Sequence, residues 1–442
     1  MDKKDVLKKV KEENVKYILL QFSDMYGVVK SITIPVNHLE ASLDHGTWFD
    51  GSSIEGFARI AESDMYLIPD PDTYAFIPWL TSEFGNTARF ICDVYGPDGN
   101  PFQGDPRFIL KKELLEAEEM GFSYKTGPEI EFFLLKKDGG LHTLPHDKAG
   151  YFDMTMDQAY EIRREMTSVL QSMGIDVEAT HHEVGIGQHE IDFRYDYALK
   201  TADNATTIRF ALKAIAQKYN LLATFMPKPI AGINGNGMHV HQSLFDAEGN
   251  NVFFDEKNKY HLSEKAYHYL AGQLKHIKGM TAILNPIVNS YKRLVAGYEA
   301  PVYISWARTN RSSLIRIPRY LEGRSQSTRL ELRSPDPSCN IYLAFAVMLK
   351  AGLEGLTQKL QPPKPVEEDV YNFSDAKLEE LKIDTLPGSL LQALYELKRD
   401  ELVKKALGTH TFERYVEAKK KEWDEFRIQV TKWELERYLE LY

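Results

Sequence analysis

The sequence predicts a mixed fold, α+β or α/β, divided into a small N-terminal unit and a larger second one. Three observations carry that expectation. Helix-period and strand-like segments interleave along the chain, which disfavours an all-helical bundle or a β-sandwich. Two strand-like runs flank an early turn, Asp24-Met25-Tyr26-Gly27. The densest turn cluster of the first half, Tyr95-Gly96-Pro97-Asp98-Gly99-Asn100-Pro101, then separates a short region from a long one. The expected domains are 1–103 and 104–442.

In the first unit, the charged stretch Asp2–Glu13 reads as a helix and Tyr17–Phe22 as a strand. Val28–Ile34 would return beside it as a hairpin, and Thr87–Val94 supplies a further strand. Beyond the turn cluster, Pro106–Met120 places Phe108, Leu110, Leu114 and Leu115 at helical spacing with Glu and Lys between them. Tyr124–Leu135 is a strand. Helical stretches follow at Asp157–Met173, Thr201–Tyr219, Ser263–Leu284 and Tyr342–Leu360, alternating with short strands. Pro362-Pro363-Lys364-Pro365 predicts an exposed linker, and the Lys- and Glu-rich tail Leu390–Tyr442 predicts surface-facing helices.

Composition narrows the function classes. The 442 residues are 43% hydrophobic and 27% charged, too apolar for a disordered chain. A net charge of −10 argues against a nucleic-acid binder. No apolar run approaches the roughly 18 residues of a membrane helix, and Met1-Asp2-Lys3-Lys4-Asp5 lacks the apolar core of a secretory signal. Two cysteines, Cys92 and Cys339, cannot build a disulfide framework and suit a reducing cytoplasm.

The informative residues are charges placed where strands should be apolar. In Gly127-Pro128-Glu129-Ile130-Glu131-Phe132, alternation puts Glu129 and Glu131 on one face, roughly 7 Å apart, and two apolar side chains on the other. Carboxylates that close repel unless a cation or proton sits between them, although a solvated edge strand could carry the same pattern. Arg329-Leu330-Glu331-Leu332-Arg333 repeats the alternation, with a carboxylate between two guanidiniums suited to phosphate oxygens. In Gly232-Ile233-Asn234-Gly235-Asn236-Gly237-Met238-His239-Val240-His241, three glycines permit close backbone approach and two histidines project from one face. His181-His182-Glu183-Val184-Gly185-Ile186-Gly187-Gln188-His189-Glu190 adds three histidines and two glutamates. Zinc would suit the histidines alone; the excess of glutamates over all segments favours Mg²⁺ or Mn²⁺, which accompany phosphoryl transfer. Arg293, Arg308, Arg311, Arg316, Arg319, Arg324, Arg329 and Arg333 point to an anionic-substrate pocket in an otherwise acidic chain.

Together these segments resemble the glutamine synthetase family. Phe49-Asp50-Gly51-Ser52-Ser53 with Glu62-Ser63-Asp64 resembles its N-terminal signature, and Lys228 to Ser243 its ATP-binding-region signature. Glu129-Ile130-Glu131, Glu183 to Glu190, Asn310-Arg311-Ser312-Ser313 and Arg329 to Pro337 match in order and spacing. The resemblance spans essentially the whole chain. Lacking an insertion between about Leu141 and Tyr151, the chain is similar to the short type I-alpha class of bacteria and archaea.

The resemblance implies an α+β protein with a small β-grasp-like N-terminal domain and a large catalytic domain built on a curved antiparallel sheet. It implies ligation of ammonia to L-glutamate, with ATP, through a γ-glutamyl phosphate. One metal ion would be held by Glu131, Glu183 and Glu190, the other by Glu129, His239 and Glu331. Arg316 and Arg329 would steady the transferred phosphate; Asn234, Gly235, Arg293, Arg311 and Arg333 would contact glutamate or its phosphate. His241 and Ser243, with Glu178 and Tyr195, match nucleotide contacts. Asp50 and Ser53 would form the ammonium site of a neighbouring subunit, Glu299 would close the site, and Arg59 matches an arginine of glutamine feedback. The family's dodecamer of two hexameric rings is the implied assembly, with nitrogen-regulatory proteins as candidate partners and no nucleic acid or membrane. Tyr371 lies near a position that longer subtypes adenylylate, but its flanks, Asp369-Val370 and Asn372-Phe373, do not form that motif, so no adenylylation is expected. The competing readings are a ligase for a larger amine such as a polyamine, a catalytically silent homologue, and a metal-dependent hydrolase.

Overall fold

The computed structural model describes residues 1–52, 54, 64–137, 144–297 and 300–442. Three of the expected site residues, Ser53, Arg59 and Glu299, lie outside the described residues.

Helix α1 (Lys3–Glu12) starts where the Asp2 carboxylate accepts the Asp5 N–H, and it turns Val6 and Val10 into a small core. That core sits against a six-stranded sheet of β1 (Val15–Ser23), β2 (Val29–Pro35), β3 (Thr47–Asp50), β4 (Asp64–Pro69), β5 (Ala75–Ser82) and β6 (Gly85–Tyr95), with α2 (Leu39–His45) adding Leu39. Strand order is β2-β1-β6-β4-β3, with β5 paired to β6. The expected hairpin is present: β1 and β2 pair antiparallel, while β1 runs parallel to β6. This is the β-grasp arrangement.

The second sheet is nine-stranded and ordered β13-β14-β15-β12-β7-β9-β8, with β10 and β11 also paired to β7. Its members are β7 (Ser123–Lys136), β8 (Val177–His182), β9 (Gln188–Phe193), β10 (Asp196–Tyr197), β11 (Leu221–Thr224), β12 (Val240–Phe245), β13 (Tyr303–Ala307), β14 (Ser313–Arg316) and β15 (Leu330–Leu332). All pairs in it are antiparallel except β13–β14. Beneath one face lie α3 (Pro106–Glu119), α4 (Tyr160–Ser172), α5 (Ala198–Lys218), α6 (Glu264–Leu284) and α8 (Ile341–Gln358), sharing one continuous apolar core with the strands. The short α7 (Ser290–Arg293) adds Tyr291 to that core, and the short α9 (Asp375–Glu380) buries no residue. Helices α6 and α8 approach backbone to backbone: a Cβ on Gly272 would stand 2.1 Å from the Ala351 carbonyl oxygen, and one on Gly355 2.1 Å from that of His268.

Buried polar contacts join the two sheets. Arg107, at the start of α3, reaches Asp70 and Asp93 of the small unit (2.7 and 2.6 Å) and Asp203 of α5 (2.9 Å). Arg209 donates to the Gly27 carbonyl, and the Asn340 amide to that of Asp24, so the early turn is stapled onto the larger unit.

In the C-terminal third one expectation fails and another holds in part. The tail is helical, as α10 (Leu390–Arg399), α11 (Glu401–Arg427) and α12 (Lys432–Tyr438), but α10 and α11 are not surface additions. They bury Leu390, Leu394, Leu397, Val403, Leu407 and Tyr415, and the Tyr415 hydroxyl donates to the Ala282 carbonyl. Their Lys and Glu content masks an apolar stripe; beyond Arg427 no residue is buried. The Pro362–Pro365 segment is partly exposed but lies along the same body, with its Pro363 carbonyl accepting from the Trp306 indole at 2.7 Å.

Candidate active site

The site is the charged face of the second sheet. Ile130 and Phe132 of β7 are fully buried in the core, so Glu129 and Glu131 must leave by the opposite face. Antiparallel pairing then sets Asp192 beside Glu129 and Glu190 beside Glu131 from β9, and His181 beside Glu190 from β8. On the other side of β7 the glycine-rich segment runs alongside, its His239 and Gly237 carbonyls accepting the Glu129 and Glu131 N–H groups at 2.9 and 3.3 Å. Glu331 of β15 pairs with His241 and Arg316, and its neighbours Leu330 and Leu332 are fully buried. β7 is therefore a central strand, not the edge strand that its sequence alone also allowed.

Two clefts open on this face. The first, about 300 Å³, is lined by Glu129, Glu131, Glu183, Glu190, His239 and Glu331, by Asn234, Gly235 and Gly237, and by Arg293, Arg311, Arg316 and Arg333. The second, about 440 Å³, is lined by Glu178, Tyr195, His241, Ser243, Arg324 and Arg329 among others. Glu129 walls both.

The acids form two electrostatically different groups. Glu129, His239 and Glu331 present ligand atoms close enough to share one ion. The Glu129 oxygens lie 3.0 Å from His239 Nδ1 and 2.7 Å from His241 Nε2. Burial opposes ionisation of Glu129, yet these hydrogen bonds hold its carboxyl well below the usual range. Glu331 is also held low against the effect of burial, by His241, Arg333 and His239. Arg316 and Arg333 each bond one of its oxygens. The second group has weaker support: His181 Nε2 lies 3.1 Å from Glu190, and among the described residues the Glu131 carboxylate accepts only from the neutral Gln188 amide and the Gly237 N–H. Burial, then the charges of Glu190 and Glu183, push Glu131 well above the ordinary carboxyl range. Burial with Asp192, Glu129 and Glu183 nearby pushes Glu190 up to about 10. Clustered carboxylates that resist ionisation for lack of positive charge fit a hard divalent cation.

Other predicted residues sort themselves by direction. Arg308 and Arg319 line neither cleft. Only His181 of the three clustered histidines turns toward the acids. His182 contacts Asp147 at 2.9 Å and the Glu183 carbonyl at 2.7 Å, and His189 Nδ1 faces Arg163 at 3.0 Å. Both ring nitrogens of His182 are thereby engaged, whereas His189 Nε2 is buried with no hydrogen-bond partner among the described residues, and Asp147, His182 and His189 present ligand atoms close enough to share an ion of their own. Asp50 ends β3, exposed, with its carboxylate accepting the Ser52 N–H at 2.8 Å, and it lines neither cleft of its own chain. Tyr151, Val184 and Gln188 line the first cleft and were not singled out from the sequence. Gln188 was within sight, inside the glycine-flanked segment already marked by its glutamates; Tyr151 offered no pattern of its own.

Comparison with known proteins agrees with this geometry. The family model described as "Glutamine synthetase, catalytic domain" matches residues 103–438, and "Glutamine synthetase, beta-Grasp domain" matches residues 14–97. The glutamine synthetase of Thermotoga maritima is 52% identical over 435 residues, covering 98% of both chains. That of Methanosarcina mazei is 52% identical over 442 residues, covering 99% of this chain and 98% of its own. A solved GmaS/ADP complex superposes with a TM-score of 0.89 at 32% identity over 99% of each chain. The Plasmodium falciparum glutamine synthetase shares the fold at a TM-score of 0.89 and 24% identity. With both of its regions matched and full-length relatives at half identity, the chain belongs to the glutamine synthetase family, the ATP-dependent glutamate–ammonia ligases.

Proposed function

We propose that the two clefts divide the reaction between them, glutamate in the first and ATP in the second, with Glu129 at the point of phosphoryl transfer. The observation that carries this is the convergence of six metal-ligand candidates and four arginines in one cleft that shares a wall with the next. Glu131, Glu183 and Glu190 would hold one divalent ion, and Glu129, His239 and Glu331 the other; their oxygen-rich set suits Mg²⁺ or Mn²⁺. Such ions, when bound, offset phosphate charge and fix the nucleotide relative to the amino acid.

The remaining work falls to the chain's own residues. A carboxylate is a poor acyl donor because its leaving group would be oxide; phosphorylation supplies a better one. Arg316 and Arg329 would steady the transferred phosphate, and Arg293, Arg311 and Arg333 would hold glutamate and its acyl phosphate. The Arg333 Nε is buried and has no hydrogen-bond partner among the described residues, a donor available to an anion. Asn234 and Gly235 would contact the amino acid. Glu178, Tyr195, His241 and Ser243 would contact the nucleotide. Only neutral ammonia has the lone pair for attack, so a carboxylate must accept a proton from ammonium; Asp50 would take that role, with Ser53 beside it in the ammonium site and Glu299 closing the site against water.

Asp50 lies exposed on the small sheet, away from its own chain's clefts, so the reading requires a neighbouring subunit. Exposed apolar side chains support a homo-oligomer: Trp48 in β3 and Ile428, Val430, Trp433, Leu439 and Leu441 in the tail. We take the assembly to be a dodecamer of two hexameric rings, working in the cytoplasm. No helix among the described residues is long and apolar enough to cross a membrane. Regulation through Arg59 or nitrogen-regulatory proteins belongs to the same proposal.

The test is phosphate release with ATP and glutamate, given ammonium, methylamine or putrescine in turn. Ammonium alone should support fast turnover, with glutamine and phosphate formed in equal amounts. Comparable rates with a larger amine, or phosphate release without any amine, would overturn the assignment.

A further inference from the structure

Gln188 opens β9 and is 1% exposed, yet it touches three segments that carry proposed ligands. Its backbone closes the Glu183 turn: the Glu183 N–H donates to the Gln188 carbonyl at 2.8 Å, and the Gln188 N–H to the Gly185 carbonyl at 2.9 Å. Its side-chain amide donates to Glu131 Oε2 at 2.8 Å, to the Gly235 carbonyl at 3.1 Å and to Asn236 Oδ1 at 3.3 Å. The amide oxygen accepts the Gly185 N–H at 3.1 Å. These partners fix the amide's orientation, since a flip would set its oxygen against the Glu131 carboxylate. Glu131 Oε2 also accepts the Gly237 N–H at 2.8 Å, so that oxygen is committed to two donors. Oε1 accepts no hydrogen bond among the described residues and is left for the cleft.

We infer that Gln188 is a positioning residue that couples cation placement to glutamate placement. It holds Glu131 so that one oxygen faces the ion, and through the Gly235 carbonyl it sets how closely the glycine-rich segment approaches the amino acid. A neutral amide does this without adding charge to a site already crowded with carboxylates. The role rests on the two-ion reading above and goes beyond it, because that reading gives Gln188 no part.

Gln188→Met conserves volume but removes both hydrogen-bonding groups; Gln188→Asn keeps an amide one methylene short. Mn²⁺ titration of the full-length assembly, followed by electron paramagnetic resonance, should show two ion classes in the unaltered protein. Either variant should weaken one class about 10- to 100-fold, the range for residues that orient metal ligands. The class retained should be the one lost in Glu331→Gln. The KM for glutamate should rise with that loss while the KM for ATP stays within about twofold, a split that a merely structural role would not give. Parental ion binding in a folded variant overturns the role of Gln188 alone. So does a parallel rise in both KM values, or loss of a cooperative thermal transition in both variants. Absence of two ion classes in the unaltered protein overturns the metal reading, and this inference with it.

Discussion

Glu331 concentrates the residue-scale chemistry. It is fully buried, bonded by two guanidiniums, and its Oε1 lies 3.7 Å from His239 Nδ1. Removing its charge while keeping its shape leaves those cations facing a neutral amide, and a buried charge without its partner is costly. Glu331→Gln should therefore lower kcat about a hundredfold or more, the scale of losing one charge-stabilising group, while the protein still folds and assembles. Steady-state kinetics beside a thermal melt would check this; kcat within threefold of the parent would remove Glu331 from the ligand set. Alternation on β7 and β15 made these residues legible from sequence, because an acid between two core-bound neighbours has only one face to occupy. Asp50, Ser53, Glu299 and Arg59 became legible only through the family resemblance, since loop acids and serines look alike in isolation.

At the scale of elements, the long helices and the strands of strong apolar character were readable to within a few residues. Short strands such as β3, β4 and β14 were not, because tertiary pairing rather than propensity holds four- to six-residue segments in place. The tail was misread for a related reason: Lys and Glu dominate α11 while its buried stripe, Val403, Leu407 and Tyr415, is sparse. The crossing of α6 and α8 gives a clean prediction. A methyl on Gly355 would meet the His268 carbonyl and the Gly272 backbone, neither of which can swing aside. Gly355→Ala should destabilise the fold by about 1–3 kcal/mol through overpacking, despite alanine's better helix propensity. Chemical unfolding midpoints would measure it, and an unchanged or higher midpoint would show that the helices can separate at little cost.

For the whole molecule, the question is how an acid on the small sheet serves a cleft on the large one. If sites are completed by a neighbour, Asp50→Ala and Glu331→Gln chains are each inactive alone but complementary together. Co-assembled one to one, about a quarter of the sites would combine an intact Asp50 with an intact Glu331, provided each interface draws its partners at random. Recovery of activity in the mixture is the expected result, and none would place Asp50 outside the shared site. The claim beneath all of this is that the cleft activates a carboxylate by phosphorylating it. Glutamate labelled with ¹⁸O in its γ-carboxylate reports on that step directly, by mass spectrometry of the products. One labelled oxygen should leave in phosphate for every glutamine formed; phosphate carrying only oxygen from ATP and water would contradict the account.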